Sequence, residues 1–475
     1  MRPGWLYFSI FTWAVLTGGR FTAPFLKDIA QFDDSLIGVI IAIQSLLGSL
    51  LGSVGAVYAD RLEFKYPNKG RMGFLGLGVL FGTISFEIHW LVHLLVQDNR
   101  VLSTGLHITA RILYSVCLSI VFPILDGITL SYLTSHNCDA AAYGKERSIG
   151  AVGWALAHVI IGPVLDKVGF SIFFCTAPLG ALLCLTTFAK YLSDSVSYES
   201  LMREDIINPE TEMVGALTLE HSSETRNTAP ETNLDGQDAE TDEEERNIDI
   251  PGSENKSLSL LWSMVSSCTA CGFIISAMTL NMGTSVVESL IFLFFESLGG
   301  SYAICGLSVV VTVVFEIPIF HYAPRLLAYF GAEALQKIAC LAYITRVVGY
   351  TYIPKDHMAL VLFFEPLHGV TYACSKTSAV EFAAKLTPKG YEASVQGLLS
   401  MMLGIGSVVG LSLGGWIEDS LGPVVLYRSY AGIVAVGLAI FYVTIFVDNK
   451  KRNEPKYAHL SVKSSEDDDI QNIIT

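Results

Sequence analysis

Runs of roughly 20 apolar residues recur along this chain, separated by short polar loops. A run of that length crosses a bilayer as a helix, because helices and closed barrels are the structures that satisfy their own backbone in lipid. Twelve such runs are predicted, approximately at 5–25, 35–59, 73–96, 106–133, 148–165, 170–191, 258–295, 302–322, 332–353, 358–383, 393–416 and 424–447. The seventh is long enough to project beyond the membrane. The first lacks a small-residue cleavage site and carries Arg20, so it reads as a retained helix and not a signal peptide. The series breaks once, in a stretch rich in Glu, Asp, Ser, Thr and Asn with few aromatics, which predicts disorder. The resulting layout is a six-helix bundle over 1–191, an acidic linker over 192–257, a second bundle over 258–447 and a tail over 448–475. The expected fold is an all-α membrane protein with twelve transmembrane helices in two pseudo-symmetric bundles.

An internal repeat supports the division. Leu125-Asp126-Gly127-Ile128-Thr129 in the fourth run is echoed by Leu367-His368-Gly369-Val370-Thr371 in the tenth. Gly162, Asp166 and Gly169, after the fifth run, are echoed at the same spacing by Gly415, Asp419 and Gly422, after the eleventh. Both offsets map a helix onto the one six places later. Parallel six-helix halves are a layout of secondary transporters that bind their solute between them.

Composition agrees. Of the 475 residues 51 % are hydrophobic and 16 % charged, against about 25 % charged in a soluble domain. That argues against a soluble enzyme, a nucleic-acid binder or a secreted disulfide scaffold. The net charge of −15 is not a binding face, since residues 191–257 hold 18 acidic and 4 basic side chains. Basic residues cluster after the second run (Arg61, Lys65, Lys69, Arg71), after the tenth (Lys385, Lys389) and in the tail (Lys450, Lys451, Arg452). That asymmetry predicts cytoplasmic termini and a cytoplasmic linker, in the plasma membrane or an endomembrane. Linker and tail are candidate docking segments for cytoplasmic partners. Most of the nine cysteines fall in apolar runs and read as small hydrophobes, as do Cys268 and Cys271 despite their CxxC spacing. No phosphate loop, metalloprotease helix or zinc-ligand cluster is present, so no cofactor or metal is expected. Gly410-Leu411-Ser412-Leu413-Gly414 spells a hydrolase elbow but lies inside an apolar run with no strand before it.

These features resemble the major facilitator superfamily across essentially all twelve runs. Gly55, Asp60 and Arg61 resemble the superfamily's loop signature, displaced by an insertion around Tyr66-Pro67-Asn68, which implies a gating role for Asp60 and Arg61. Residues 143–156, YGKERSIGAVGWAL, resemble helix 5 of the lactose/proton symporter. In that resemblance Arg147 matches the sugar-binding arginine, Trp154 the tryptophan that stacks on the sugar, and Asp126 the sugar-binding glutamate of helix 4. Glu316, Arg346 and His368 match its helix-8 glutamate, helix-9 arginine and helix-10 histidine. The proton-carrying glutamate three residues after the histidine is Thr371 here, and Glu365 lies three residues before it. The segments around 295–318 and 365–396 look closer still to the major facilitator superfamily domain-containing protein 6 group and to nucleoside/proton symporters.

Ionisable groups in a bilayer cost roughly 3 kcal/mol each, so each needs a reason. Internal salt bridges that fix packing are the expected reason for Arg20, Glu87, Arg111 and Glu288. Asp126, Arg147 and Trp154 are the expected substrate site, with hydrogen bonds to hydroxyls and an apolar face for a ring. Glu316, Arg346, Glu365 and His368 are the expected proton-coupling set, with Glu316 or Glu365 as the carrier. Glu365, His368, Tyr372 and Lys376 share one helix face, where Lys376 could neutralise Glu365. Gly48, Gly52, Gly406, Gly410 and Gly414 are expected to let helices 2 and 11 approach closely. The function expected is secondary active transport of a small polar solute, sugar or nucleoside, by alternating access with proton symport. The alternative is a non-transporting receptor or scaffold on the same fold.

Overall fold

The computed structural model describes residues 1–67, 69–96, 98–136, 142–207, 267–386 and 392–453. Most of the predicted linker and almost all of the tail lie outside the described residues. Among those described there is no strand. The helices are α1 Gly4–Leu16, α2 Thr22–Ile29, α3 Asp34–Lys65, α4 Gly70–Leu95, α5 Arg100–Ser135, α6 Ala142–Val168 and α7 Phe173–Ile207 in the first half. The second half holds α8 Cys268–Ser297, α9 Tyr302–His321, α10 Ala323–Tyr350, α11 Val361–Phe364, α12 Pro366–Leu386, α13 Glu392–Leu421 and α14 Pro423–Asn453. Helix α7 runs sixteen residues past its expected end, so 192–207 is helical. Tyr198, Leu201, Met202 and Ile206 keep a helical apolar spacing there.

Among the described residues, ten helices are long and apolar enough to cross a membrane. The two other predicted runs fall short for visible reasons. The first is broken between α1 and α2, where Gly18 and Gly19 take positive φ (118° and 49°) and a 3-10 turn carries Arg20. The ninth, α10, includes Arg325, Glu333, Lys337 and Arg346 and breaks at Gly331 (φ 76°). The tenth run is also interrupted. Proline has no N–H and clashes with the preceding turn, so α11 stops at Phe364, α12 starts at Pro366, and Glu365 sits at the joint.

The halves meet along two seams, α3 against α13 and α6 against α9. Sequence reasoning named the right helix pair, α3 with α13, but the wrong glycines. Gly48 and Gly52 pack on Ser119 of α5, and Gly406 and Gly410 pack on Met278 and Met282 of α8, each pair within its own half. The inter-half approach uses Gly38 and Gly415, where a Cβ on Gly415 would lie 2.6 Å from the Asp34 carbonyl oxygen and 2.8 Å from the Gly38 Cα.

Beside these seams the repeated Gly-Asp-Gly motif acts twice, at the end of the molecule away from the amino terminus. Asp166 accepts from the backbone N–H groups of Tyr302 (2.7 Å) and Ala303 (3.0 Å), the first turn of α9. The Ser35 hydroxyl, in the first turn of α3, donates to Asp419 Oδ2 (2.9 Å). Each aspartate thus sits at a helix start in the other half, where the exposed N–H groups favour an anion.

Candidate functional site

Asp126 on α5 points toward α1 and α6. The Tyr7 hydroxyl donates to its Oδ1 at 2.5 Å. Arg147 on α6 donates through Nη1 to the Tyr143 hydroxyl at 3.2 Å, one turn away. Asp126 and Arg147 are not among the described ion pairs within 4.0 Å. A tyrosine holds each charge, and Tyr143 counts Asp126, Arg147 and Tyr7 among its electrostatic neighbours. Arg147 is exposed and Asp126 partly so. Trp154 follows two turns after Arg147 on the same face. Its ring is part-buried against His158 (centroids 4.5 Å apart) and Phe11 (6.1 Å).

The second half carries a buried counterpart. Glu365, 2 % exposed, accepts from Thr312 Oγ1 at 2.8 Å and from the Tyr350 hydroxyl at 2.7 Å. His368 is 3 % exposed and its Nδ1 lies 3.7 Å from Glu365 Oε2. On its other side Nε2 meets Arg20 Nη2 at 2.9 Å, a bond between residues 348 apart that ties the break of the first helix to the break of the tenth. Arg346 has no solvent exposure, lies 5.7 and 5.9 Å from the Tyr343 and Tyr350 ring centroids, and has no hydrogen-bond partner on its guanidinium. Thr371, at the place of the symporter's acid, bonds the Leu367 carbonyl of its own helix.

Between these two groups lie Glu288, Glu316 and Tyr372. Glu316 has Glu288, Arg20 and Arg147 as electrostatic neighbours, and Tyr372 has the same residues together with Glu316. One central cluster therefore draws Arg20 and Arg147 from the first half and Glu288, Glu316 and Tyr372 from the second.

This corrects two expectations. Arg20 and Glu288, expected in internal salt bridges, are in none of the described ion pairs; both are electrostatic neighbours of Glu316 and Tyr372. Lys376 is exposed over the Tyr372 ring (5.6 Å), about 16 Å along the helix from Glu365, and does not neutralise it. Arg111 does have a packing role. It donates to Thr22 Oγ1 at 2.9 Å and lies 4.7 Å over Tyr114, anchoring α5 to α2. Glu87 on α4 is partly buried. At the end of α3, Asp60 pairs with Arg71 in the first turn of α4 (2.8 Å), which also reaches Ser131, and Arg61 is exposed. Sequence reasoning missed Tyr7, Tyr143, Thr312 and Tyr350. Only Tyr143 carried a signal, four residues before Arg147. Neither Cys268 nor Cys271 is in a disulfide, and the described residues hold no metal-binding group of three.

The fold has solved counterparts. A nucleoside transporter, NupG, shares the fold at a TM-score of 0.64 and 15 % identity, over 93 % of this chain and 97 % of that one. A POT family transporter in complex with a thioalcohol conjugated peptide matches at a TM-score of 0.57 and 14 % identity, over 95 % and 96 %. A family model described as MFS_1 like family matches residues 6–429, nearly the whole chain. The chain therefore belongs to the MFS_1 like family, a multi-pass membrane transporter and not an enzyme.

Proposed function

We propose that the protein moves a small polar organic solute of sugar or nucleoside type by alternating access, coupled to a proton. The observation that carries this reading is the state of Asp126 and Arg147. They form no direct ion pair, a tyrosine bonds each, and Arg147 is exposed and Asp126 partly so. Such a pair presents acceptors and donors to a solute's hydroxyl or amide groups, while Trp154 offers an apolar face to a ring. The nucleoside transporter and the peptide-bound transporter of like fold are consistent with solutes of this size.

In this reading the face that carries the termini is cytoplasmic, and the seams at Gly38–Gly415 and Asp166–Tyr302 close the opposite side. Substrate enters the site shown here from the cytoplasm, and the halves rock about it. Coupling runs through Glu316 or Glu365 with His368 as partner, and Arg346, unengaged by any acceptor, is the group that can move. A carboxylate beside an imidazole and a mobile guanidinium can change its proton affinity between states. Asp60, Arg61 and Arg71 form the cytoplasmic gate.

The test is a thermal-shift screen of the purified protein against nucleosides, hexoses and dipeptides, since a ligand of the folded state raises apparent stability. A nucleoside or hexose should raise the melting temperature of the wild type and leave Arg147→Lys unmoved. No response to any of the three classes would sink the reading.

A further inference from the structure

Between α3, α5 and α13 lies a cavity of about 520 Å³, and no charged side chain lines it. Gln44, Ser45, Ser115, Ser119 and Ser407 give the wall its polar character, with Phe122 among the apolar residues. Gln44 is 8 % exposed and its Nε2 has no hydrogen-bond partner. The Ser119 hydroxyl donates to the Ser115 carbonyl at 2.7 Å, so its oxygen is presented as an acceptor. Ser407 Oγ receives Asn281 Nδ2 at 2.7 Å and lies 2.6 Å from Ser285 Oγ, which carries the polar belt onto α8.

Helix glue accounts for part of this belt. Ser and Asn commonly bridge membrane helices, and Asn281, Ser285 and Ser407 satisfy one another in that way. Gln44 is different. A buried amide with an unused donor is costly, and it needs a partner from outside the bundle.

The cavity adjoins the charged site. Phe122 and Asp126 are one turn apart on the same face of α5, about 6 Å along the axis. The Phe122 ring meets Phe11 edge-on at 5.2 Å, and Phe11 meets Trp154 at 6.1 Å.

We propose that this cavity is a second part of the substrate site and takes a neutral, hydroxyl-bearing portion of the solute. Gln44 Nε2 donates to a hydroxyl or ring oxygen, and Ser119 Oγ accepts from a hydroxyl. An anionic group would meet no counter-charge on this wall, and a hydrocarbon would leave Gln44 unpartnered. The inference rests on the transport reading above and narrows its solute class.

The experiment measures binding of uridine and 2′,3′-dideoxyuridine to the purified full chain by thermal-shift titration. If a hexose binds instead, that hexose and its deoxy analogue take their place. Wild type should prefer the hydroxylated compound by about tenfold in Kd, the effect of one hydrogen bond. Gln44→Met and, separately, Ser119→Ala should lose that preference while melting normally without ligand. If Gln44→Met does not fold, Ser119→Ala on the same wall decides. Variants that keep the wild-type preference would overturn the inference, as would a wild type that binds both compounds equally. A wild type that binds no nucleoside or hexose would instead overturn the transport reading itself.

Discussion

The two halves treat the same pair of residue types in opposite ways. In the first, Arg147 is exposed and Asp126 half-open, and Tyr143 and Tyr7 bond them. In the second, Arg346 and Glu365 are sealed from solvent, and the carboxylate is enclosed by Thr312, Tyr350 and His368. An open charge keeps its hydration until a ligand replaces it, so it suits recognition. A sealed charge has no water to fall back on, so a change at its neighbours must be met by moving a proton or a side chain. In the proposed function the solute falls to the first half and the coupling to the second, with Arg20 as the bridge.

The sharpest way to break this comparison is at Arg147. Lysine cannot reproduce the planar fork that holds two acceptors. Arg147→Lys should weaken solute binding by about 2 kcal/mol, roughly thirtyfold in Kd, while the protein remains folded. Asp126→Ala should do likewise. Unchanged affinity in both would return the pair to a packing role. On the other side, Glu365→Gln should abolish accumulation against a gradient and spare downhill exchange, measured in vesicles with an imposed pH difference. Glu316→Gln should be tested alone and with it. Uphill transport by the double variant would move the coupling elsewhere.

The bridge predicts a smaller, mixed effect. Arg20→Leu removes the Arg20–His368 hydrogen bond, and it should reduce both binding and coupling several-fold, where each variant above affects one. A loss confined to one of them would place Arg20 in that half's site only. The two aspartate contacts predict a change in conformational balance. With Asp166→Ala and Asp419→Ala combined, cysteines placed near Gly38 should label faster from the face away from the termini, at unchanged expression. Equal labelling rates would show that the glycine seams close that face unaided. The smallest effect is expected from replacing residues 210–255 with a short Gly/Ser spacer. Membrane insertion and transport should survive, because that composition offers little apolar surface to a core. Loss of insertion would show that it packs on the bundles.

Much of the architecture was legible because the membrane imposes local rules. A 20-residue apolar run, a repeat at a six-helix offset and a charge set among apolar neighbours are all read from residues close in sequence. The same locality marked Arg147, Glu316 and His368 as ionisable groups among apolar residues, and the resemblance to the lactose/proton symporter nominated them as site residues. It also explains two misjudgements. The spacing of Gly48 and Gly52 does not say which helix they face, and the apolar surroundings of Arg20 and Glu288 do not say which side chains they meet.

The sequence by itself determined the apolar helices, the two-fold repeat and the candidate charges. Only the tertiary structure decided the partners: Tyr7 for Asp126, Tyr350 for Glu365, Arg20 for His368, Gly38 for Gly415. Period and hydropathy fix which way a helix is buried, because those depend on neighbours three or four positions away. A hydrogen bond between residues 348 apart depends on how two bundles are set against each other, and no spacing along the chain encodes that.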